Sequence, residues 1–153
     1  RDETLSADNT SVKDVLIDLV KRYDLPNDEL VLMLYLTYPE REWDHVVNAL
    51  KFFKSMSAKS LLCRVEPRSN PFLCMFSDDE HKGRQIIEHN LYRRQDYPEC
   101  FELSHFISIF YVNELETLNK NLYNSNTVFF KIDRPIDVDT PKDLKKYHDK
   151  NNS

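Results

Sequence analysis

The sequence predicts an α/β fold, and three observations carry the prediction. Two short apolar runs, Leu30 to Leu36 and Ser60 to Val65, flank a stretch with helical periodicity from about Glu42 to Met56, the spacing of a strand–helix–strand crossover. Such a crossover makes the sheet at least partly parallel. Helix start signals stand at Ser11 and Thr140, and further strand-like apolar runs lie between them. With 153 residues and 41% hydrophobic content, the chain is long enough for one domain with a real core and too short for two ordinary ones.

The elements follow in order. Asp8, Asn9, Thr10 and Ser11 offer caps for a helix to about Tyr23, with Val12, Val15, Leu16, Leu19, Val20 and Tyr23 on one face. After the turn Leu25-Pro26-Asn27-Asp28, the almost wholly apolar run Leu30 to Leu36 suits a strand buried on both faces. The second helix has Trp43, Val46, Val47, Leu50 and Phe53 on its buried side, with Glu42 and Asp44 complementing its N-terminal dipole. Ser60 to Val65 is the next strand. Between Pro67 and Pro98 the pattern changes to Pro-, Asp- and Arg-containing stretches around a short strand, Phe72 to Phe76, with a polar turn at Ser77 to Glu80, which reads as an inserted hairpin. The core pattern resumes with Phe101 to Val112, a helix near Asn113 to Asn121 and a strand Thr127 to Ile132. A last helix is capped by Thr140, with Pro141 at its first position and Asp143 favouring its dipole.

Composition excludes several classes. A net charge of -5 and a pI near 5.5 argue against a nucleic-acid partner, whose phosphates demand Lys and Arg. No apolar run approaches the 18 or so residues that span a bilayer, so the expectation is a soluble, cytoplasmic protein without a membrane partner. Cys63, Cys74 and Cys100 are widely spaced without a CxxC pair, as free thiols in a reducing compartment would be. The five histidines are scattered, which argues against zinc. Gly83 is the single glycine, too few for a loop that wraps phosphate with backbone amides.

Three stretches could carry chemistry. In Arg134-Pro135-Ile136-Asp137-Val138-Asp139-Thr140, an extended backbone points both carboxylates to one side just ahead of a helix, an arrangement that suits Mg²⁺ completed by phosphate oxygens and water. Helix capping alone would explain the same residues. Tyr92-Arg93-Arg94-Gln95-Asp96-Tyr97-Pro98, with Lys82 and Arg84 nearby, is a basic group in an acidic protein, matched to carboxylate or phosphate or else to ion pairing. The strand end Thr37-Tyr38-Pro39-Glu40-Arg41 lies where open α/β sheets bind ligands, though an ordinary turn reads the same way.

In order, these segments resemble the CMP-sialic acid synthetases (acylneuraminate cytidylyltransferases). Arg94-Gln95-Asp96-Tyr97-Pro98 is close to that family's Arg-Gln-Asp-Leu-Pro stretch, and Pro135-Ile136-Asp137-Val138-Asp139-Thr140-Pro141-Lys142-Asp143-Leu144 to its Ser-Ile-Asp-Ile-Asp-Thr-x-x-Asp-Leu close. Met33 to Arg41 is similar, more loosely, to its Leu-Leu-Gln-Pro-Thr-Ser-Pro-Leu-Arg strand end, and Arg1 to Asn9 to its Arg-Pro-Glu-Leu-Ala-Ser-Asp-Thr stretch. The resemblance implies a three-layer α/β/α sandwich of the nucleotide-diphospho-sugar-transferase kind, truncated at its N-terminus. It implies a homodimer whose arm is the insertion from about 71 to 98. It implies activation of a sialic-acid-type sugar acid with CTP to give the CMP-sugar and pyrophosphate. Asp137 and Asp139 would hold Mg²⁺, with Asp139 and Arg94 catalytic and Tyr35, Thr37, Arg94, Gln95 and Ser104 at the substrates. The family's Leu-x-Ala-Arg-x-Gly-Ser-Lys loop would precede Arg1, so little or no CTP turnover is expected of this chain alone. Tyr35 stands where the family has glutamine, and Ser104-His105-Phe106 where it has Asn-Gly-Ala. Those larger side chains leave room for two alternatives: a non-catalytic binding or dimerisation module, or a nucleotidyltransferase for another sugar acid.

Overall fold

The computed structural model describes residues 10–151, so the likeness at Arg1 to Asn9 lies outside the described residues. It is a mixed α/β arrangement of three helices around a four-stranded mixed sheet, with a two-stranded hairpin. Helix α1 (Val12–Arg22) starts at a reciprocal cap: Ser11 Oγ accepts from the Asp14 amide at 3.2 Å and the Asp14 carboxylate accepts from the Ser11 amide at 3.3 Å. Strand β1 (Leu30–Met33) leads to α2 (Trp43–Ser55), which returns the chain to β2 (Ser60–Val65). The hairpin pairs β3 (Met75–Ser77) with β4 (Gly83–Gln85), and β5 (Glu102–Tyr111) and β6 (Val128–Lys131) complete the sheet. Helix α3 (Pro141–Asn151) ends the described chain.

The strand order is β1-β5-β2-β6. β5 runs antiparallel to both β1 and β2, while β6 runs parallel to β2. The expected β1–α2–β2 crossover is therefore present with its two strands parallel, but β5 has been inserted between them. Alternation along β1 sorts the core onto two faces. Leu30 and Leu32 pack with Val46, Ala49 and Phe53 of α2, whereas Val31 and Met33 pack with Leu16 of α1 and with Phe110, Leu115, Leu118 and Leu122. Thus α1 and α2 cover opposite faces of the sheet. Among the described residues no helix is long and apolar enough to cross a membrane.

Four expectations need correction. The first apolar run is a strand only to Met33 and is half-buried, because β1 is an edge strand paired on one side and the chain leaves the sheet at Leu34. Trp43 is 72% exposed, since it opens α2 at a position before the helix meets the sheet, and Ala49 takes the buried place instead. Asn113 to Asn121 is not a helix. A 3-10 turn at Val112–Glu114 runs into successive turns, in which Leu115, Leu118 and Leu122 reach the core as anchors of an irregular segment. Their helix-like spacing is met by turns closed with side chains, as when Asn119 Oδ1 accepts from the Asn121 amide at 2.8 Å. The expected strand Phe72 to Phe76 is divided as well, between a 3-10 turn at Pro71–Leu73 and β3.

Candidate functional site

The site begins with an irregularity in β5. Leu62 pairs with Ser108 but the next β2 residue, Cys63, pairs with Ser104, so His105, Phe106 and Ile107 bulge from the ladder with no partner on β2. On its other side β1 pairs with β5 only as far as Met33 opposite Ser108. The two strands part there, leaving backbone groups without ladder partners. Arg41 fills the gap: Nε donates to the Phe106 carbonyl at 2.9 Å and Nη2 to the Tyr35 carbonyl at 2.6 Å. Its guanidinium lies 5.1 Å from the Phe106 ring centroid and 5.6 Å from that of Tyr38. Burial lowers the Arg41 pKa from its ordinary value. Behind it the Ile107 amide bonds to Cys63, whose thiol is pushed up to about 12 by desolvation.

A cleft of about 380 Å³ opens beside this splay. Its walls are Tyr38 after β1, Val65 and Arg68 at the end of β2, Glu102 to Ser104 at the start of β5, Arg134 to Asp137 after β6, and Asp143 and Lys146 of α3. Because β1, β2 and β6 point the same way, this is the carboxyl end of three parallel strands, where open α/β sheets bind ligands. The floor is polar and charged. Arg134 grips Glu102 through two nitrogens at 2.8 and 2.7 Å, which holds the Glu102 carboxyl below its ordinary pKa. Lys146 bonds Asp143 at 2.8 Å, and Arg68, exposed at the mouth, adds its charge to that of Arg134 in lowering Glu102.

The Asp137–Asp139 stretch is fixed from its back. The Ile136 amide donates to Glu40 Oε2 at 2.8 Å and the Val138 amide to the Thr37 carbonyl at 2.8 Å. Amides two residues apart bonding to the single stretch 37–40 hold the segment extended, which turns Asp137 and Asp139 the same way. Both carboxylates act on the Tyr38 hydroxyl. Tyr38 is pushed up to about 12, first by burial and then by Asp137, to which its hydroxyl bonds, while Ser104 bonds to Tyr38 in the opposite sense. Thr140 caps α3 as expected, its Oγ1 accepting from the Asp143 amide at 3.3 Å.

The structure thus brings Asp137, Asp139 and Ser104 together around Tyr38. Thr37 joins through its backbone carbonyl, and Tyr35 lies next to them through its ring, 5.5 Å from that of His105. Arg94 and Gln95 do not line the cleft: they sit exposed on a 3-10 turn, Arg94–Asp96, of the insertion. Arg93, not Arg94, makes the bidentate ion pair there, with Asp96 at 2.8 and 3.0 Å. Tyr38 and Arg41 are site-builders that nothing in their own strand-end stretch marks as such, and His105 shows in the sequence only as bulk. Burial lowers the His105 pKa, Asp137 partly opposing it, and His105 Nδ1 is buried without a hydrogen-bond partner among the described residues.

Among the described residues no three His, Cys, Asp or Glu side chains converge as a complete metal cage. Mg²⁺ does not require one, since it keeps waters and takes one or two carboxylates with substrate phosphates. The pair at Asp137 and Asp139, exposed and turned to one side, fits that use. No family model matches this chain, and no curated protein matches it.

Proposed function

We propose that this chain is part of a cytidylyltransferase that activates a sialic-acid-type sugar acid with CTP, releasing pyrophosphate, and that it follows the three-layer plan of that family. The observation that carries the reading is the convergence of Asp137 and Asp139 on Tyr38 at the carboxyl ends of three parallel strands. Helices on both faces of the sheet and a hairpin within the stretch read as the dimer arm support the same plan.

On this reading Asp137 and Asp139 hold Mg²⁺, which when bound neutralises charge on the nucleotide phosphates. The chain's own residues set the geometry. Thr37 and Glu40 hold the acidic segment extended, Tyr38 presents a hydroxyl to Asp137, and Ser104 orients Tyr38. Because Tyr38 is protonated at any physiological pH, it serves as a hydrogen-bond donor and not as a base. Arg68 at the mouth suits the carboxylate of a sugar acid. Arg94 lies outside this cleft and would act across a homodimer from the partner's arm.

Isothermal titration of CTP with Mg²⁺ tests the reading, with Asp139→Ala in parallel. The resemblance places the triphosphate loop outside these residues, so weak binding is expected, dependent on Mg²⁺ and abolished in Asp139→Ala. Equal heats with and without Mg²⁺, or unchanged binding in the variant, would remove the metal role from the Asp pair. Absence of CTP binding by a chain that carries any upstream segment would favour the non-catalytic module.

A further inference from the structure

On the face of the sheet opposite α2, a second cavity of about 680 Å³ is floored by Phe101, Tyr123 and Phe129 and rimmed by Asn119, Asn124 and Ser125. In a chain with 31% charged residues, none of its lining side chains carries a charge. Its size is within the range of small-molecule sites, as is its pairing of an aromatic floor with a few polar groups. It shares only Leu103 with the cleft of Asp137.

The rim is built. Asn119 Oδ1 accepts from the amides of Asn121 and Tyr123 at 2.8 and 3.3 Å, and the Asn119 amide donates to the Tyr123 carbonyl at 2.9 Å. Asn124 Nδ2 donates to Thr117 Oγ1 at 2.9 Å, and Thr127 Oγ1 meets the buried Ser60 hydroxyl at 2.8 Å. Leu122 holds a φ of 61°, an unfavourable value for a branched side chain, and is kept there by burial in the core. The loop is therefore held open around the rings instead of collapsing onto them. Among the described residues Tyr123 Oη, Ser125 Oγ and Asn119 Nδ2 have no hydrogen bond within the chain and remain for an occupant.

The chemistry narrows the occupant. An anion would find no cation in the lining, and a purely apolar group would strip water from three polar atoms without replacing its hydrogen bonds. A flat base favours parallel ring faces, but Phe101 and Phe129 are tilted by 44° at 4.8 Å, and Tyr123 and Phe129 by 61° at 6.3 Å. Tilted rings make a bowl. A puckered ring with one C–H face and hydroxyls around its edge fills such a bowl and meets the rim. We propose that this cup binds a neutral pyranose sugar.

Saturation-transfer NMR with a panel of methyl hexopyranosides and methyl N-acetylhexosaminides, and with adenosine as the contrasting class, tests the site. The expected result is transfer to the ring C–H protons of at least one sugar, with affinity falling about tenfold in Phe101→Ala, the equivalent of about 1.4 kcal/mol. Phe101 is 41% exposed, so its truncation leaves the core in place. Should that variant unfold, Tyr123→Phe, which keeps the ring and loses the hydroxyl, must still weaken binding several-fold. Silence from every sugar, transfer to adenosine alone, or binding unchanged in the folded variants would each overturn the assignment.

Discussion

Replacing Arg41 by alanine tests whether one side chain holds the strand splay on which the cleft depends. The substitution removes donors 2.9 and 2.6 Å from the Phe106 and Tyr35 carbonyls and the cation stacked over two rings. Hydrogen bonds from a charged donor contribute about 1.5–3 kcal/mol each and an exposed cation–π contact about 0.5–1. Against this, a partly buried guanidinium with no carboxylate partner among the described residues regains its hydration in the unfolded chain, and water can enter the gap in the variant. The net expectation is a loss of about 2–3 kcal/mol, or about 5–10 °C in Tm for a chain of this size. Urea and thermal unfolding followed by circular dichroism measure it. Arg41→Lys, which keeps the charge without the fork, should recover less than half. A change below about 0.5 kcal/mol in Arg41→Ala, the level of an ordinary surface substitution, would refute the argument and mean that β1 and β5 part without help.

Two further predictions concern titration and thiols. Glu102, Glu66 and Asp143 have pKa values lowered chiefly by bonds from Arg134, Lys131 and Lys146, so they stabilise the fold fully above their unfolded values of about 4 and lose that contribution as pH falls below about 4 toward their lowered folded values. His105 has its pKa lowered by burial, so its neutral form is favoured in the fold and stability starts to fall below about pH 6.5. Urea midpoints measured from pH 8 to about pH 2 should show this earlier loss, and His105→Gln should abolish it while leaving the carboxylate limb below about pH 4. Cys63 is fully buried with its thiol pushed up to about 12, whereas Cys74 and Cys100 are half-buried. A thiol reagent at neutral pH should therefore modify two of the three cysteines quickly and the third only in urea; rapid reaction of all three in the folded chain would contradict the packing at the bulge.

Much of the fold was legible because it rests on local signals. Ser11 and Thr140 cap helices where the sequence has them, and Ser60 to Val65 is a strand because it is central, with Leu61, Leu62, Cys63 and Val65 buried. What escaped depends on neighbours distant in sequence. Leu30 to Leu36 has the composition of a central strand, yet its edge position follows from β5 inserting beside it, and β5 begins some seventy residues later. The turns from 113 to 121 carry leucines at helical spacing, but Asn119 closes side-chain turns onto the amides of Asn121 and Tyr123 that compete with a helix, and the core accepts the leucines either way.

The candidate site divides along the same line. Asp137 and Asp139 were legible because a two-residue spacing before a helix cap is geometry written in one segment. Tyr38 and Arg41 became visible only when the bulge at His105 to Ile107 exposed what they must satisfy. The bulge follows from pairing: β2 continues its ladder with Ser104 while β1 has already left, and three residues of β5 belong to neither strand. No side chain in that stretch announces this. Its consequence is that the cleft's geometry is set by an arginine and a tyrosine from the β1–α2 connection, so a change at Arg41 should reach Asp137 through Tyr38 without touching the carboxylate itself. If the Asp pair merely caps α3, Arg41→Lys would leave Mg²⁺-dependent CTP binding no different from that of the parent chain; if it holds the metal, the same variant weakens that binding while the α3 cap stays intact.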